Sequence, residues 1–178
     1  MRYSKQGLAL TEQFEAAGGP KLIAYRPLPT DHWTLGYGHT KGVEGGMTCS
    51  PEQAVQWLLD DVQDAENAVN QLVKIGLTQE EFDACVDLTF NIGVEAFKDS
   101  TMLRLLNANE IEAASAEFDK WDMSGGKVVA GLLRRREADR ALFLLGADLS
   151  GETHDLSDTI APPGETEPAG ESQPEVQS

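Results

Sequence analysis

The stretch that most constrains the fold is Ser50 to Val73, SPEQAVQWLLDDVQDAENAVNQLV. A serine followed at once by proline and then by Gln53 at the capping-box position is a strong helix start. Apolar residues then recur at 55, 58, 59, 62, 65, 69 and 72, the stripe of an amphipathic helix. About 23 residues at ~1.5 Å each give a rod of roughly 35 Å. A rod of that length is long enough to connect two lobes.

Other helix signals surround it. Ser4 can cap a first helix whose apolar residues Leu8, Leu10 and Phe14 precede Glu15, with Gly18-Gly19 as its end. Thr78-Gln-Glu-Glu81 caps another, running through Phe82, Cys85, Val86 and Phe90 and stopping before Gly93. Short helices are expected near 101–107 and 110–121, and a last one from about Gly131 to Leu145 closed by Gly146. Only residues 21–48, rich in Gly, Pro, Thr and aromatics, read as strand and turn. The expected architecture is a mostly helical α+β domain over residues 1–146.

The 178-residue chain has a net charge of -16, and the segment 147–178 supplies half of it, with eight Asp or Glu and no Lys or Arg. Four prolines and no aromatic residue there leave little apolar surface to offset ordering, so this acidic tail is expected to be disordered. Acidity argues against nucleic acid as a partner, because phosphate binding needs concentrated Lys and Arg. The one basic cluster, LLRRREADR at 132–140, reads either as the polar face of a helix or as the wall of an anion-facing groove. Cys49 and Cys85 form no Cys/His ligand cluster, so two separate reduced thiols are expected and neither a disulfide scaffold nor a metal site. No stretch reaches the ~18 apolar residues of a membrane span, and the N-terminus has no signal-type apolar run. The chain is expected to be made as a soluble cytosolic protein without stable membrane insertion.

Glu15 is the first candidate for chemistry. In the last turn of its helix, unsatisfied carbonyls disfavour its ionised form, which suits a general acid that protonates a glycosidic oxygen. Thr34, Tyr37 and His39, in WTLGYGHT, are the residues that can face it across a groove. Strict alternation would put Thr34 on one strand face and Tyr37 and His39 on the other. Thr34 and His39 can both approach Glu15 only if the strand bends, and Gly36 and Gly38 are where it can.

The segments LTEQFE, AYR…WTLGYGHT, DLTFNIGVEAFKDSTML and GGKVVAGLLRRREADRALFL, in that order over roughly residues 4–145, resemble the phage-type lysozymes, the muramidase endolysins of bacteriophages. The resemblance implies two lobes, one a small β-hairpin lobe, joined by a long helix. It implies hydrolysis of the β-1,4 bond between N-acetylmuramic acid and N-acetylglucosamine in bacterial peptidoglycan, by a monomer without cofactor. Glu15 matches the catalytic acid, Thr34 the threonine that positions the attacking water, and His39 the histidine beside the acid. Phe90 and Ser100 fall where the far lobe contacts the glycan, and Tyr37 lies in the same motif as His39. By analogy with soluble members, the enzyme would wait in the host cytoplasm and reach the periplasmic wall through a holin-type pore.

One position departs from the pattern. The family places an Asp or Cys between the catalytic Glu and Thr, eight residues after the first and five before the second. Here eighteen residues separate Glu15 from Thr34, and counting forward, counting back or aligning on AYR lands on Ala24, Leu28 or Pro27. None can act as base or nucleophile. Asp31 is the sole carboxylate between Glu15 and Thr34, and serves either as the replacement or as an ordinary turn residue. Alternatives to the hydrolase are a lytic transglycosylase, which cuts the same bond using one main carboxyl, and a glycan binder that has lost catalysis.

Overall fold

A computed structural model describes residues 1–154 apart from 17 and 27, with side chains described up to residue 147. The Pro27 alternative and the acidic segment beyond His154 therefore lie outside the described residues.

The first helix, α1 (Lys5–Glu15), starts where the sequence indicates: Ser4 Oγ accepts from the backbone N–H groups of Gln6 and Gly7 at 3.1 and 3.2 Å. Its buried face differs from the apolar one expected. Leu8, Leu10 and Phe14 stay half-buried, while Gly7 and Thr11 are the buried residues. A Cβ at Gly7 would sit 2.9 Å from the Asp83 side chain, so glycine is what lets this helix approach so closely. The approach brings Thr11 to a second buried carboxylate.

After α1 the chain forms an antiparallel hairpin, β1 (Lys21–Tyr25) and β2 (Thr34–Gly36), paired at Lys21↔Gly36 and Tyr25↔Thr34 with a register shift between. Ala24, Leu35 and Gly36 are its buried residues. The bend expected at the glycines is a full reversal. Gly36 at φ 65° and Gly38 at φ 99° turn the chain so tightly that Leu35 and His39 exchange both backbone hydrogen bonds at 2.9 Å. Positive φ of this kind is freely open only to glycine.

The long helix α2 (Pro51–Leu72) is capped by Ser50, whose Oγ accepts from Gln53 N at 3.1 Å. At ~1.5 Å per residue it spans about 33 Å. Its N-terminal half carries the hairpin, with Gly36 against Ala54 and the His39 ring stacked on Trp57. Its C-terminal half sends Ala65 and Val69 into the helical core. The two ends thus serve two different bodies of structure, as the length of the stripe indicated.

That core is organised around α3 (Gln79–Ile92), whose Thr78–Glu81 capping box forms in both directions and whose end falls at Gly93, φ 90°. Every residue from Glu81 to Thr89 is buried. Around it lie α4 (Val94–Lys98), α5 (Thr101–Asn107), α6 (Ile111–Ala116), a short 3-10 turn (Phe118–Trp121) and α7 (Ala130–His154). Phe82, Phe97, Phe118 and Phe143 fill the interior, the last two edge-on at 5.6 Å. Cys85 is buried and Cys49 half-buried, both free.

Several details depart from the sequence reading: α4 was not expected, and the helix expected over 110–121 divides into α6 and the 3-10 turn. A second hairpin, β3 (Met123–Ser124) with β4 (Lys127–Val128), turns on Gly125-Gly126 in a stretch where no strand was expected. Two-residue strands are too short to leave an alternating pattern. Helix α7 does not stop at Gly146 but runs on to His154. Gly146 is buried against the start of α3: a Cβ there would collide with Thr78 Oγ1 and lie 3.1 Å from Glu80 Cβ. The glycine marks a close helix crossing instead of a stop.

Candidate active site

Glu15 is the last residue of α1, and its side chain is 24% exposed. Arg135, from α7, donates from Nη1 to Glu15 Oε1 at 2.6 Å. The same guanidinium donates from Nε and Nη2 to the two oxygens of Asp87, on α3, at 2.8 and 2.9 Å. Asp87 also accepts from Thr11 Oγ1 at 2.6 Å, and Thr11 shares a 2.7 Å hydrogen bond with the Tyr3 hydroxyl. Three helices therefore meet in one buried polar network that ends at the half-exposed Glu15 carboxyl.

The electrostatics of this network are uneven. Burial works against ionising Asp87, but the hydrogen bonds and charge of Arg135, helped by Thr11, hold its carboxyl below the usual carboxylate range. Asp139, fully buried on α7, goes the other way: burial first, and then the charge of Asp87, push it well above that range, against the pull of Arg136. Arg136 Nη2 lies 3.0 Å from Asp139 Oδ2, both side chains out of contact with solvent. The phenol of Tyr3 is pushed up by burial and by Asp87.

Glu15 stands between two clefts. The smaller, about 230 Å³, is lined by Glu15, Tyr37, Gly38, Lys41, Asp61 and Phe90 among others. The larger, about 660 Å³, runs along Phe14, Asn91, Leu132, Arg134 and Arg135. Gly38 backs directly on the acid: a Cβ there would lie 3.7 Å from Glu15 Oε2. Partial burial, and then Glu12, raise the Tyr37 phenol above its ordinary value.

Of the residues singled out from the sequence, Glu15, Tyr37 and Phe90 share the smaller cleft. His39 is buried and directed to α2, with Nδ1 2.8 and 3.1 Å from the oxygens of Asp61 and its ring 4.9 Å from Trp57 and nearly parallel to it. Thr34 donates from Oγ1 to the carbonyl of His32 at 3.2 Å. Asp31 is exposed and closes a local turn, its Oδ2 accepting from Leu28 N at 3.0 Å. Ser100 caps α5, accepting from Leu103 N at 3.0 Å, and lines a separate cleft with Asp99 and Arg104. The carboxylate that does share a cleft with Glu15 is Asp61.

Arg135, Asp87, Thr11 and Asp61 were not singled out. The basic cluster was read as a polar face or a groove wall, yet Arg135 and Arg136 are both buried while Arg134 alone of the three is exposed. Three consecutive helical residues are spread by about 100° each, so they cannot all face water. Asp87 did carry a signal: it is a lone charge inside the apolar run ACVDLTF, where an ionised group needs a partner.

The phage lysozyme family profile matches residues 15–139. An endolysin of Bacillus phage B103 is 43% identical over 148 residues, covering 82% of this chain, which in turn spans only 55% of that protein's length. Among solved structures, a P22 lysozyme variant is 38% identical with a TM-score of 0.73, over 81% of this chain and 99% of that one. The muramidase domain of SpmX from Asticaccaulis excentricus gives 38% and 0.72, over 80% and 97%. With Glu15 at the end of α1, the glycine-turned hairpin and the long α2 in the order described, the chain belongs to the phage lysozyme family.

Proposed function

We propose that the chain is a muramidase, a glycoside hydrolase that cuts the β-1,4 bond between N-acetylmuramic acid and N-acetylglucosamine in peptidoglycan and so lyses bacterial cells. The observation that carries this reading is a single half-exposed carboxyl, Glu15, gripped by Arg135 at the junction of two clefts. Tyr37 from the hairpin side and Phe90 from the helical side offer flat surfaces for sugar rings. Glu15 gives its proton to the glycosidic oxygen as the bond breaks, Thr34 holds the water that attacks the sugar, and the proton this water loses passes to solvent, from which Glu15 is reprotonated. Asp31 acts through the turn it closes, fixing the loop that leads into Thr34. The enzyme works as a monomer on the cell wall, released through a holin-type pore. Among the described residues no helix is long and apolar enough to cross a membrane.

Glu15→Gln tests the reading. Loss of a positioned acid is expected to cut the turbidity loss of outer-membrane-permeabilised cells by about 10²- to 10⁴-fold. The thermal midpoint is expected to stay within a few degrees, because Arg135 keeps Asp87. Near-normal lysis would overturn the assignment, and anhydro-sugar ends in the wild-type products, read by mass spectrometry, would overturn the hydrolase label.

A further inference from the structure

We propose that Asp87 is a positioning residue for glycan cleavage: through the buried guanidinium of Arg135 it sets where the Glu15 carboxyl sits and how strongly a cation holds it. The inference rests on Glu15 being the acid. A guanidinium is a rigid planar fork, and two parallel bonds to one carboxylate fix both its plane and its direction. Arg135 spends Nε and Nη2 on Asp87, at 2.8 and 2.9 Å, so the aim of Nη1 at Glu15 follows from the Asp87 pairing.

Asp87 is itself held by the helix that carries the acid. Thr11 and Glu15 are four residues apart on α1, on one face, and the path Thr11–Asp87–Arg135–Glu15 closes a ring through α1, α3 and α7. Tyr3 completes the support, its hydroxyl oxygen 2.7 Å from Thr11 Oγ1 and 2.8 Å from Gly7 O. Inside this ring Asp87 and Glu15 share one positive charge. Asp139 and Arg136 lie beside Asp87 from α7. Glu15 meets Arg135 directly, with Lys41 and Asp61 across the smaller cleft, Arg134 along the larger and Glu12 on its own helix. Without the charge of Asp87, Arg135 answers to Glu15 alone and holds its carboxylate against protonation. The alkaline limb of the pH–rate profile then moves to lower pH.

The test uses the full chain on purified peptidoglycan, with rates measured across pH for Asp87→Asn, Thr11→Val and Thr11→Ser. For Asp87→Asn the alkaline limb is expected to fall by about one pH unit, the low end for a charge change beside an ion pair. At a pH on the descending limb kcat drops roughly tenfold, as one unit implies, while KM stays near wild type. Thr11→Val, which removes a hydroxyl at constant volume, shifts the limb the same way by less, and Thr11→Ser restores the wild-type profile. A purely structural role would lower the folded fraction and leave the profile in place. If Asp87→Asn folds and its profile superimposes on wild type, the proposal is overturned. If it does not fold, Thr11→Val decides by the same criterion. Activity in Glu15→Gln would instead sink the reading of the acid itself.

Discussion

The helical wall that holds Glu15 and the rim from Arg26 to Thr34 are built on opposite principles. On the helical side Glu15 is held by a long-range contact: Arg135 lies 120 residues away in sequence and is itself fixed by a buried pairing with Asp87 on another helix. The rim from Arg26 to Thr34 is held by its own neighbours. Arg26 Nη1 donates to Pro29 O at 2.9 Å and stacks over Trp33 at 4.8 Å, Asp31 bonds Leu28, and Thr34 bonds His32. A wall made of distant contacts is rigid because the whole core must yield before it moves. A wall made of local contacts can lengthen or change residues at little cost to the core. The departure from the family pattern falls on that rim.

Arg135→Met is the strongest way to break this contrast. It strands a buried Asp87 carboxylate and is expected to cost about 3–5 kcal/mol, read as a fall in the urea midpoint at constant slope. A loss below about 1 kcal/mol would mean that the helical wall is no stiffer than the rim.

A pH series separates the two buried carboxyls. Asp87 is depressed, so its contribution is present above about pH 3.9, the ordinary Asp value, and is lost as pH falls through its folded value. Asp139 is raised, so the fold keeps a proton that the unfolded chain releases, and stability through this group declines as pH rises above about 4. Asp139→Asn, which resembles the protonated form, is expected to flatten that decline. Urea unfolding from acid to neutral pH checks it, and a difference from wild type that does not grow with pH would rule out a retained proton.

The smallest effect is expected at Asp31. Asn keeps an oxygen for Leu28 N, so Asp31→Asn should change stability by no more than about 0.5 kcal/mol. Its rate should fall less than the ~10²-fold loss of a general base, within about threefold. A loss near that larger figure would make Asp31 the base and the rim a catalytic wall.

What the sequence could show follows the same division. Ser4, Ser50 and Thr78 are helix caps, set by near neighbours, and the starts they mark are where the helices begin. The β-hairpin and its bend were legible because Gly36 and Gly38 permit dihedrals that other residues resist. The buried faces were harder. Gly7 and Thr11 pack where an apolar stripe was expected, because the partner surface presents Asp83 and Asp87, and no local pattern encodes that. The burial of Arg135 and Arg136 depends likewise on which side of α7 meets α3. Hydrophobic periodicity finds faces that avoid water, not faces that exchange hydrogen bonds.

The crossing at Gly146 has a consequence for how the gene can vary. Residues 135 and 146 are eleven apart, and at about 100° per residue that spacing returns α7 to within roughly 20° of the same face. The arginine that holds Glu15 and the glycine that lets α7 pass the start of α3 are therefore in phase. Inserting or deleting one codon between them turns one relative to the other by about 100°, swinging Arg135 away from Glu15 or driving a side chain into Thr78. Point changes on the outer face of this segment leave that phase intact, whereas length changes do not, so the segment between 135 and 146 is fixed in length even where its residues are free to drift.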